Sequence, residues 1–569
     1  MEFKRRLRRW TWSGRHAFAR ARALLRRAGL TGLVSAVWRR ARPAPESSGL
    51  ASVAPDPAAE RARIQTEMAG FATRPFFSLI FVPGAASPEE IAPTLASVDG
   101  QLYREFELFF APGAHLAGRA ETILAQADWP VGLRPGWCAL LYHGMILAPE
   151  LLFELAKTLQ TQPRADLLYP DHAVTGPDPA QAEAVLKPDW SPDFLLCGDY
   201  IAGPRFFATD FVGQAARTAA LDLRDPALAY DLSLRAIDWA AVAHIPLMLA
   251  SLTPAFAPPD PLPSQRAWLE RQGLRARLES LPGRPALAIP HFELPPGDTV
   301  SIIICSHDQP RLLNTCLESV FGLTRGIDFE VVLVDHASRQ QATRQLIADW
   351  QRKEPRRLLV ERAEGAFNFS SLNNAGVRRA RGRYLTLLNN DIEVISPDWL
   401  LEMAGWAQRP TVGVVGACLL YPNDTIQHAG ILLGMRDLAV HAMKGRRASD
   451  PGFMQRLRVP SNFLALTGAC LMLRRELYAE LGGLDERFAV AGGDIDLCLQ
   501  ASARGFFNLL LPQVRLYHYE SATRGFEDSP AKQARLRQEY DLLRQRWPAQ
   551  VSDCDPFYHP ALERVRGDF

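Results

Sequence analysis

The chain has 569 residues, too many for one ordinary core; at roughly 100–200 residues per domain it predicts three units, give or take one. Sixty-four Lys and Arg balance 62 Asp and Glu, so the bulk composition gives no reason to expect nucleic acid or another polyanion as partner. Cys138, Cys197, Cys305, Cys316, Cys418, Cys470, Cys498 and Cys554 form no Cys-x-x-Cys pair, which argues against zinc and for buried free thiols in a reducing cytosol. No uninterrupted apolar run reaches bilayer length and no short hydrophobic core ends in a small-residue cleavage site, so export by an ordinary signal is not expected.

Residues 1–42 break the charge balance, with thirteen Lys or Arg against the single acid Glu2. Leu30, Leu33, Val34, Val37 and Trp38 repeat at helical spacing, as do Phe3, Leu7 and Trp10. That predicts a basic amphipathic helix lying on an anionic membrane surface, and so a peripheral protein on the cytoplasmic side of the inner membrane. A disordered basic arm, a helix docked on the protein itself and an Arg-rich targeting presequence are the alternatives. Pro, Ala, Ser and Gly over 43–72 read as a linker leading into a short helix.

From Phe76 strands and helices alternate: strands at Phe77–Pro83, Phe106–Phe110, Cys138–Tyr142 and Asp166–Tyr169, helices at Pro88–Val98 and Pro149–Leu159. Such alternation predicts right-handed βαβ units on a mostly parallel sheet. Pro and Arg dominate 253–297, which reads as a connector with one helical piece around Ser264–Leu278.

The alternation then restarts. Strands are predicted at Val300–Cys305, Phe329–Asp335 and Leu358–Val360, and helices at Pro310–Phe321, Arg339–Lys353 and Ser370–Arg381. The last helix leads into the apolar run Tyr384–Leu388, which ends abruptly in Asn389, Asn390 and Asp391. Taken alone, that triplet is equally a cation and phosphate site or a strand-ending turn. The two halves match in order: Phe106-Glu-Leu-Phe-Phe sits like Phe329-Glu-Val-Val-Leu, and Asp231-Leu-Ser-Leu-Arg235 like Asp496-Leu-Cys-Leu-Gln500. A duplication is expected, with its first copy degenerate, because Tyr142-His143-Gly144 stands where the second copy has Asn389-Asn390-Asp391.

In the second half, polar residues follow apolar strands at Ser306/Asp308, Asp335, Asn389/Asp391, Asp494/Asp496 and His518/Glu520. The carboxyl ends of the strands of a doubly wound sheet share one edge, so these residues should gather round one cleft. Residues 299–530 resemble a family-2 inverting glycosyltransferase of the GT-A fold. The resemblance is carried by Val300-Ser-Ile-Ile-Ile, Val332-Leu-Val-Asp335-His-Ala-Ser338, Ser371-Leu-Asn-Asn374-Ala-Gly376 and Leu388-Asn-Asn-Asp391. Thr467-Gly-Ala-Cys-Leu471, Gly482-Gly-Leu-Asp-Glu-Arg-Phe488, Gly493-Asp494-Ile-Asp-Leu497 and Tyr517-His518-Tyr-Glu-Ser521 continue it. It is closest to bacterial two-module enzymes that build surface polysaccharide, rhamnosyltransferase-like members included. The first half resembles the same fold most clearly at Lys187-Pro-Asp-Trp-Ser-Pro-Asp193.

The resemblance implies a role for each residue. Asp391 and His518 would hold Mg²⁺ or Mn²⁺ against the donor diphosphate, and Asn389 stands where the family's first metal-site Asp usually does, without its charge. Asp494 would be the general base that deprotonates the acceptor hydroxyl, whereas Asp496 reads better as a helix N-terminal acid. Ser306, Asp308 and Asp335 would hold the nucleoside, Asn374 and Gly468 would line the sugar pocket, and Arg524 would clamp the diphosphate.

The expected architecture is α/β, with two tandem GT-A-like (Rossmann-like) modules on mostly parallel sheets. Its divisions are a basic N-terminal segment and linker at 1–72, a degenerate module at 73–255, a connector at 256–297, a catalytic domain at 298–530 and a C-terminal helix and tail at 531–569. The expected activity is hexosyl or deoxyhexosyl transfer, with inversion, from a nucleotide-diphosphate sugar to a glycan or lipid-linked glycan acceptor in cell-surface polysaccharide biosynthesis. The alternative is an inactive glycan-binding or scaffold pseudo-enzyme. A nicotinamide-dependent oxidoreductase is disfavoured because no Gly-x-Gly-x-x-Gly follows either first strand.

Overall fold

The structure is a computed structural model that describes residues 57–82, 84, 86–111, 129, 132–176, 182–436, 438–520, 529–552, 555–564, 567 and 569. The membrane expectation for residues 1–42, Arg524 and Cys554 lie outside the described residues. Among the described residues no helix is long and apolar enough to cross a membrane.

Eight strands build the first module: β1 Phe77–Val82, β2 Phe106–Phe110, β3 Trp137–Tyr142, β4 Met145–Leu147, β5 Leu167–Val174, β6 Glu183–Val185, β7 Phe206–Ala208 and β8 Val242–Leu252. A hairpin follows, β9 Ala276–Leu281 and β10 Arg284–Phe292. The second module begins with β11 Thr299–Ser306, β12 Asp328–His336, β13 Leu358–Ala363, β14 Tyr384–Asn389, β15 Ile392–Val394 and β16 Val412–Leu420. It continues with β17 Ile426–His428, β18 Ile431–Met435, β19 Leu438–His441, β20 Ser461–Phe463, β21 Cys470–Arg474 and β22 Phe507–His518.

The two main sheets repeat one topology. The first runs β2-β1-β3-β7-β5-β8-β4 and the second β12-β11-β14-β21-β16-β22-β15, with β13 added at the edge beside β12. Each step also keeps its direction. β3 and β14 pair antiparallel with β7 and β21, β5 and β16 pair parallel with β8 and β22, and the short β4 and β15 close the order antiparallel. Seven strands matching in order and direction are what a duplicated α/β module produces. The sheets are mixed rather than mostly parallel, because the strands that follow each central strand return antiparallel.

The central strands form where they do because both faces are covered. β12 is buried from Phe329 to His336, and β16 along its whole length, which explains their continuous apolar sequence. The stretch read as a connector is a packed element. Its helix spans Leu262–Gln272, shorter than expected, and stops at Gly273, whose φ of +62° suits glycine. Residues 276–292 then fold into the β9–β10 hairpin. Phe292 of β10 sets its ring edge-on to Trp406 of the second module, with centroids 4.9 Å apart. One apolar core runs from Ile80 and Phe207 through Trp268 and Phe292 to Trp406 and Leu509, so the modules are fused rather than strung on a linker.

Buried polar groups fix that junction. Asp193, at the end of the motif that first suggested kinship for the first module, pairs with Arg409 of the second. The Asn462 amide donates to Asp193 Oδ2 at 2.6 Å, and its oxygen accepts from the Ser191 hydroxyl at 2.8 Å. The Arg409 guanidinium lies 5.2 Å from the centroid of Trp268, 5.7 Å from Phe292 and 5.4 Å from Trp406.

Candidate active site

β14 ends at Asn389, and the next two residues turn the chain into β15. Asn389 donates its backbone N–H to the carbonyl of Ala469, just before β21, at 2.9 Å. The neighbouring Gly468 N–H donates to Asp494 Oδ2 at 2.7 Å. Asp391 and Asp494, a hundred residues apart, therefore stand on either side of one short stretch of chain. Gly468 eases this approach, since a Cβ there would sit 3.3 Å from both the Asp494 Cβ and the Phe369 ring and one of them would have to give.

His518 ends β22 opposite Ile392, beside the Asn389–Asp391 turn. Its Nε2 lies 3.2 Å from Asp391 Oδ1 and 3.4 Å from the Asn389 amide nitrogen. On the far side of the ring, Nδ1 faces the Gln427 oxygen at 2.9 Å. An amide oxygen accepts only, so Nδ1 is the donor to Gln427, and in the neutral ring Nε2 presents its lone pair toward Asp391. Asp391 is only 6 % exposed, and its Oδ1 receives no hydrogen bond. A buried carboxylate oxygen and an imidazole lone pair facing each other at this distance suit a divalent cation. Gln427, on β17, was not singled out in the sequence; its only signal is an amide two residues past a turn.

The helix Gly493–Ala503 presents Asp494 in its first turn. Asp494 Oδ1 accepts the N–H of Ile495 at 2.9 Å. The preceding loop is held by Glu539 of the helix Pro530–Arg546, whose carboxylate accepts the N–H groups of Val490 at 2.8 Å and Ala491 at 3.2 Å. Burial pushes the Glu539 carboxyl up. Asp496 is fully buried and accepts from Trp547 Nε1 at 2.8 Å and Gln500 Nε2 at 2.9 Å. It anchors the C-terminal helix rather than facing the cleft.

On the nucleoside side, Ser306 and Asp335 pair in register across β11 and β12. Ser306 accepts from the Asn390 amide at 3.1 Å. Asp335 is completely buried and ion-paired with Arg362 of β13, so Arg362 covers its carboxylate. Asp308, at φ +51°, accepts the N–H groups of Arg339 and Gln340 at 2.9 and 2.8 Å and so ties the β11 loop to the β12 loop. Asn374 departs from the expected pocket-lining role. Its oxygen accepts from Tyr478 and the Leu484 N–H at 2.6 and 3.1 Å, while its NH₂ donates to the Leu484 carbonyl and Glu486 at 2.9 and 3.0 Å. With both ends of the amide engaged, it holds the Gly482–Glu486 loop instead of presenting a free polar group.

Beyond His518, Glu520 accepts from Tyr421 at 2.7 Å, and Lys444 lies 4.0 Å away. Burial would raise this carboxyl, but Lys444, Tyr421 and their neighbours outweigh it and bring it down to about 2. His428 and His441 face each other at 2.9 Å, and burial keeps both neutral, His441 down to about 4.

The first module has the same frame without this chemistry. Gly144 stands at the topological position of Asp391, and Leu252 at that of His518. At φ +82°, a Cβ on Gly144 would lie 2.6 Å from the Phe256 nitrogen and 2.9 Å from Thr253 Oγ1. The module's own chain fills the place.

Among the described residues one other cluster has metal-type side chains, Asp171, His244 and His559, with ligand atoms within 4.8 Å of one another. His559 Nδ1 accepts the Ala561 N–H at 3.1 Å, so its proton is on Nε2, which donates to Asp171 Oδ2 at 2.7 Å. His244 lies between Asp171 and Asp189, at 3.0 and 2.9 Å. Burial alone would lower the His244 imidazole, but the two carboxylates raise it above its ordinary value. Burial would raise the Asp171 carboxyl, but both histidines and the Lys187 N–H hold it down at about 2. This is a proton-filled network that docks the C-terminal tail on the first module.

Residues 301–482 match the family described as Glycosyl transferase family 2, a stretch that ends before Asp494 and His518. The chain is 34% identical over 564 residues to the uncharacterized protein y4gI of Sinorhizobium fredii (strain NBRC 101917 / NGR234), covering 95% of this chain and 60% of that one. It is 33% identical over 558 residues to the O-antigen biosynthesis protein RfbC of Myxococcus xanthus, covering 90% of this chain and 42% of that protein. Over 162 residues it is 25% identical to an N-acetylglucosaminyl-diphospho-decaprenol L-rhamnosyltransferase of Mycobacterium tuberculosis (strain CDC 1551 / Oshkosh), covering 26% of this chain and 51% of that one. The chain thus spans 60% and 42% of the length of the first two relatives. Residues 301–482, inside the second module, are thus the stretch that matches Glycosyl transferase family 2, and the first module repeats that module's strand order and direction.

Proposed function

We propose that the second module transfers a sugar, with inversion, from a nucleotide-diphosphate donor to a glycan or lipid-linked glycan acceptor during cell-surface polysaccharide synthesis. The observation that carries this reading is the meeting of Asp391 and His518, one short bridge of chain from Asp494. Asp391 and His518 would hold Mg²⁺ or Mn²⁺, which when bound offsets the charge that grows on the leaving diphosphate. Asn389 lies beside them, and Arg524 would close over the same diphosphate. Ser306, Asp308 and the Asp335–Arg362 pair would shape the nucleoside end of the cleft. Gly468 would border the sugar, with Asn374 fixing the adjoining loop.

Asp494 takes the proton of the acceptor hydroxyl as its oxygen attacks the anomeric carbon. Two backbone N–H groups fix the carboxylate rotamer, so it meets the acceptor in one orientation. The names of the O-antigen and rhamnosyltransferase relatives support a surface polysaccharide as product and a deoxyhexose as donor sugar. Residues 1–42 would bring the enzyme to an anionic membrane where a lipid-linked acceptor lies.

The test is purified protein with Mn²⁺ and a panel of nucleotide sugars, read by released diphosphate. Asp494→Asn should lower kcat about 10²–10⁴-fold while leaving donor binding within about threefold. Full activity in that variant would remove Asp494 from the role of base.

A further inference from the structure

We infer that the first module binds a glycan chain in a groove on the opposite edge of its sheet from its filled donor position. The groove encloses about 640 Å³ and is lined by Asp166, Asp210, Phe211, Gln214, Arg217 and Trp239, among others. It lies where β3 and β5 begin. Thr209 follows β7 there and is tied to this edge, its N–H donating to the Gly136 carbonyl at 2.9 Å and its hydroxyl accepting the Gly136 N–H at 3.1 Å. Gly144 is at the other end of β3.

Three features define the ligand. Trp239 is 45 % exposed, yet its ring rests against the buried Phe211, with centroids 4.7 Å apart, so it is held as a platform rather than left loose. A large ring braced from below offers a flat apolar face, which suits the C–H face of a pyranose. Asp210, Gln214 and Arg217 follow at i, i+4 and i+7 on the helix Thr209–Thr218 and line the same groove. None of the three makes a hydrogen bond or ion pair with the described residues, so carboxylate, amide and guanidinium are all available to ring hydroxyls. A Cβ on Gly213, between them, would meet nothing within 4 Å, so the floor is open there. Two acids against one base make the groove a poor site for a polyanion.

The inference rests on the reading that the enzyme lengthens a polysaccharide, whose growing chain is then the ligand. It gives the degenerate module work: holding acceptor glycan while the second module acts on its end.

The experiment is native affinity electrophoresis of the full chain in gels containing polysaccharide extracted from cells that encode it, with dextran as control. Wild type and Asp494→Asn should both be retarded by the extract. Trp239→Ala should weaken apparent affinity roughly tenfold, and Trp239→Phe should recover most of it. Wild-type retardation that Trp239→Ala leaves unchanged would overturn the inference, as would a wild type that the extract does not retard. If Asp494→Asn keeps full transfer activity while retardation still depends on Trp239, the base assignment falls and the groove stands.

Discussion

Replacing Arg409 by Met removes the charge from the junction between the modules while keeping an unbranched stem among Trp268, Phe292 and Trp406. Arg409 is 2 % exposed and its partner Asp193 1 %, so water cannot replace the lost cation. Asp193 keeps one donor, the Asn462 amide at 2.6 Å. Breaking a buried pair by removing one partner typically costs about 3–5 kcal/mol. The stranded carboxylate cannot cost more than neutralising it, which for an ordinary aspartate at pH 7 is about 4 kcal/mol. The expected loss is therefore about 3–4 kcal/mol, and it should shrink by at most about 1.4 kcal/mol for each pH unit of acidification. Urea unfolding followed by tryptophan fluorescence suits the assay, because Trp268 and Trp406 flank the site. Asp193→Asn added to Arg409→Met should recover at least half the loss, since the second change removes the stranded charge. A loss below about 1 kcal/mol, or a double variant no better than the single one, would show that the buried Arg409–Asp193 pair does not hold the modules together.

Gly144→Asp, which copies Asp391 into the first module, should add no metal-dependent turnover and should cost at least about 1–3 kcal/mol, because the Phe256 nitrogen already occupies the Cβ position; a thermal shift assay reads the loss. Gln427→Ala should weaken Mn²⁺ activation roughly 10–100-fold with little change in stability, by freeing the His518 ring to turn; a metal titration of activity that does not move would exclude that role. The His244 network should make stability depend on pH in two windows. With its imidazole pKa raised, His244 contributes fully below about pH 6.5, and that contribution is lost as pH rises through the raised value. With its carboxyl held at about 2, Asp171 contributes above its ordinary value near 3.9 and loses that contribution as pH falls toward 2. The facing groups are Asp171, Asp189 and His559, with the Tyr169 ring stacked 4.8 Å from His244. Melting midpoints between pH 6 and 9 should fall more steeply for wild type than for His244→Gln, and parallel slopes would refute the assignment.

The central strands were legible because burial on both faces leaves a sequence little choice but β-branched and aliphatic residues, as in Val300–Cys305. The duplication was legible too, since matching strand ends in the same order recur only if the elements between them recur. What a sequence does not carry is who sits opposite. Asp335 reads as a free strand-end acid until β13 brings Arg362 across from it. Asn374 reads as pocket lining until the Gly482–Glu486 loop takes up its amide. The β9–β10 hairpin was hidden because no residue of β9, from Ala276 to Leu281, is buried, so no apolar run marks it as a strand. Gln427 and Glu539 were missed for a related reason, each acting on a residue far along the chain through a single amide or carboxylate.

Seven strands match in order and direction between the modules, so the difference between them comes down to a few side chains on a shared frame. At one place Asp391 Oδ1 and His518 Nε2 face each other across 3.2 Å. At the matching place Gly144 lets the backbone of residues 253–256 cross close over it, and no polar pair is left. The exchange is self-locking: with the chain packed there, any side chain on Gly144 would collide, so one substitution cannot place a carboxylate where the second module has Asp391. Selection on that copy then falls on its outer surfaces. Asp193 is committed to Arg409, and Asp171 to the tail through His559. Trp239 rests on Phe211 yet is 45 % exposed, and Asp210, Gln214 and Arg217 make no hydrogen bond or ion pair with the described residues, which makes that edge the place where the copy can still bind.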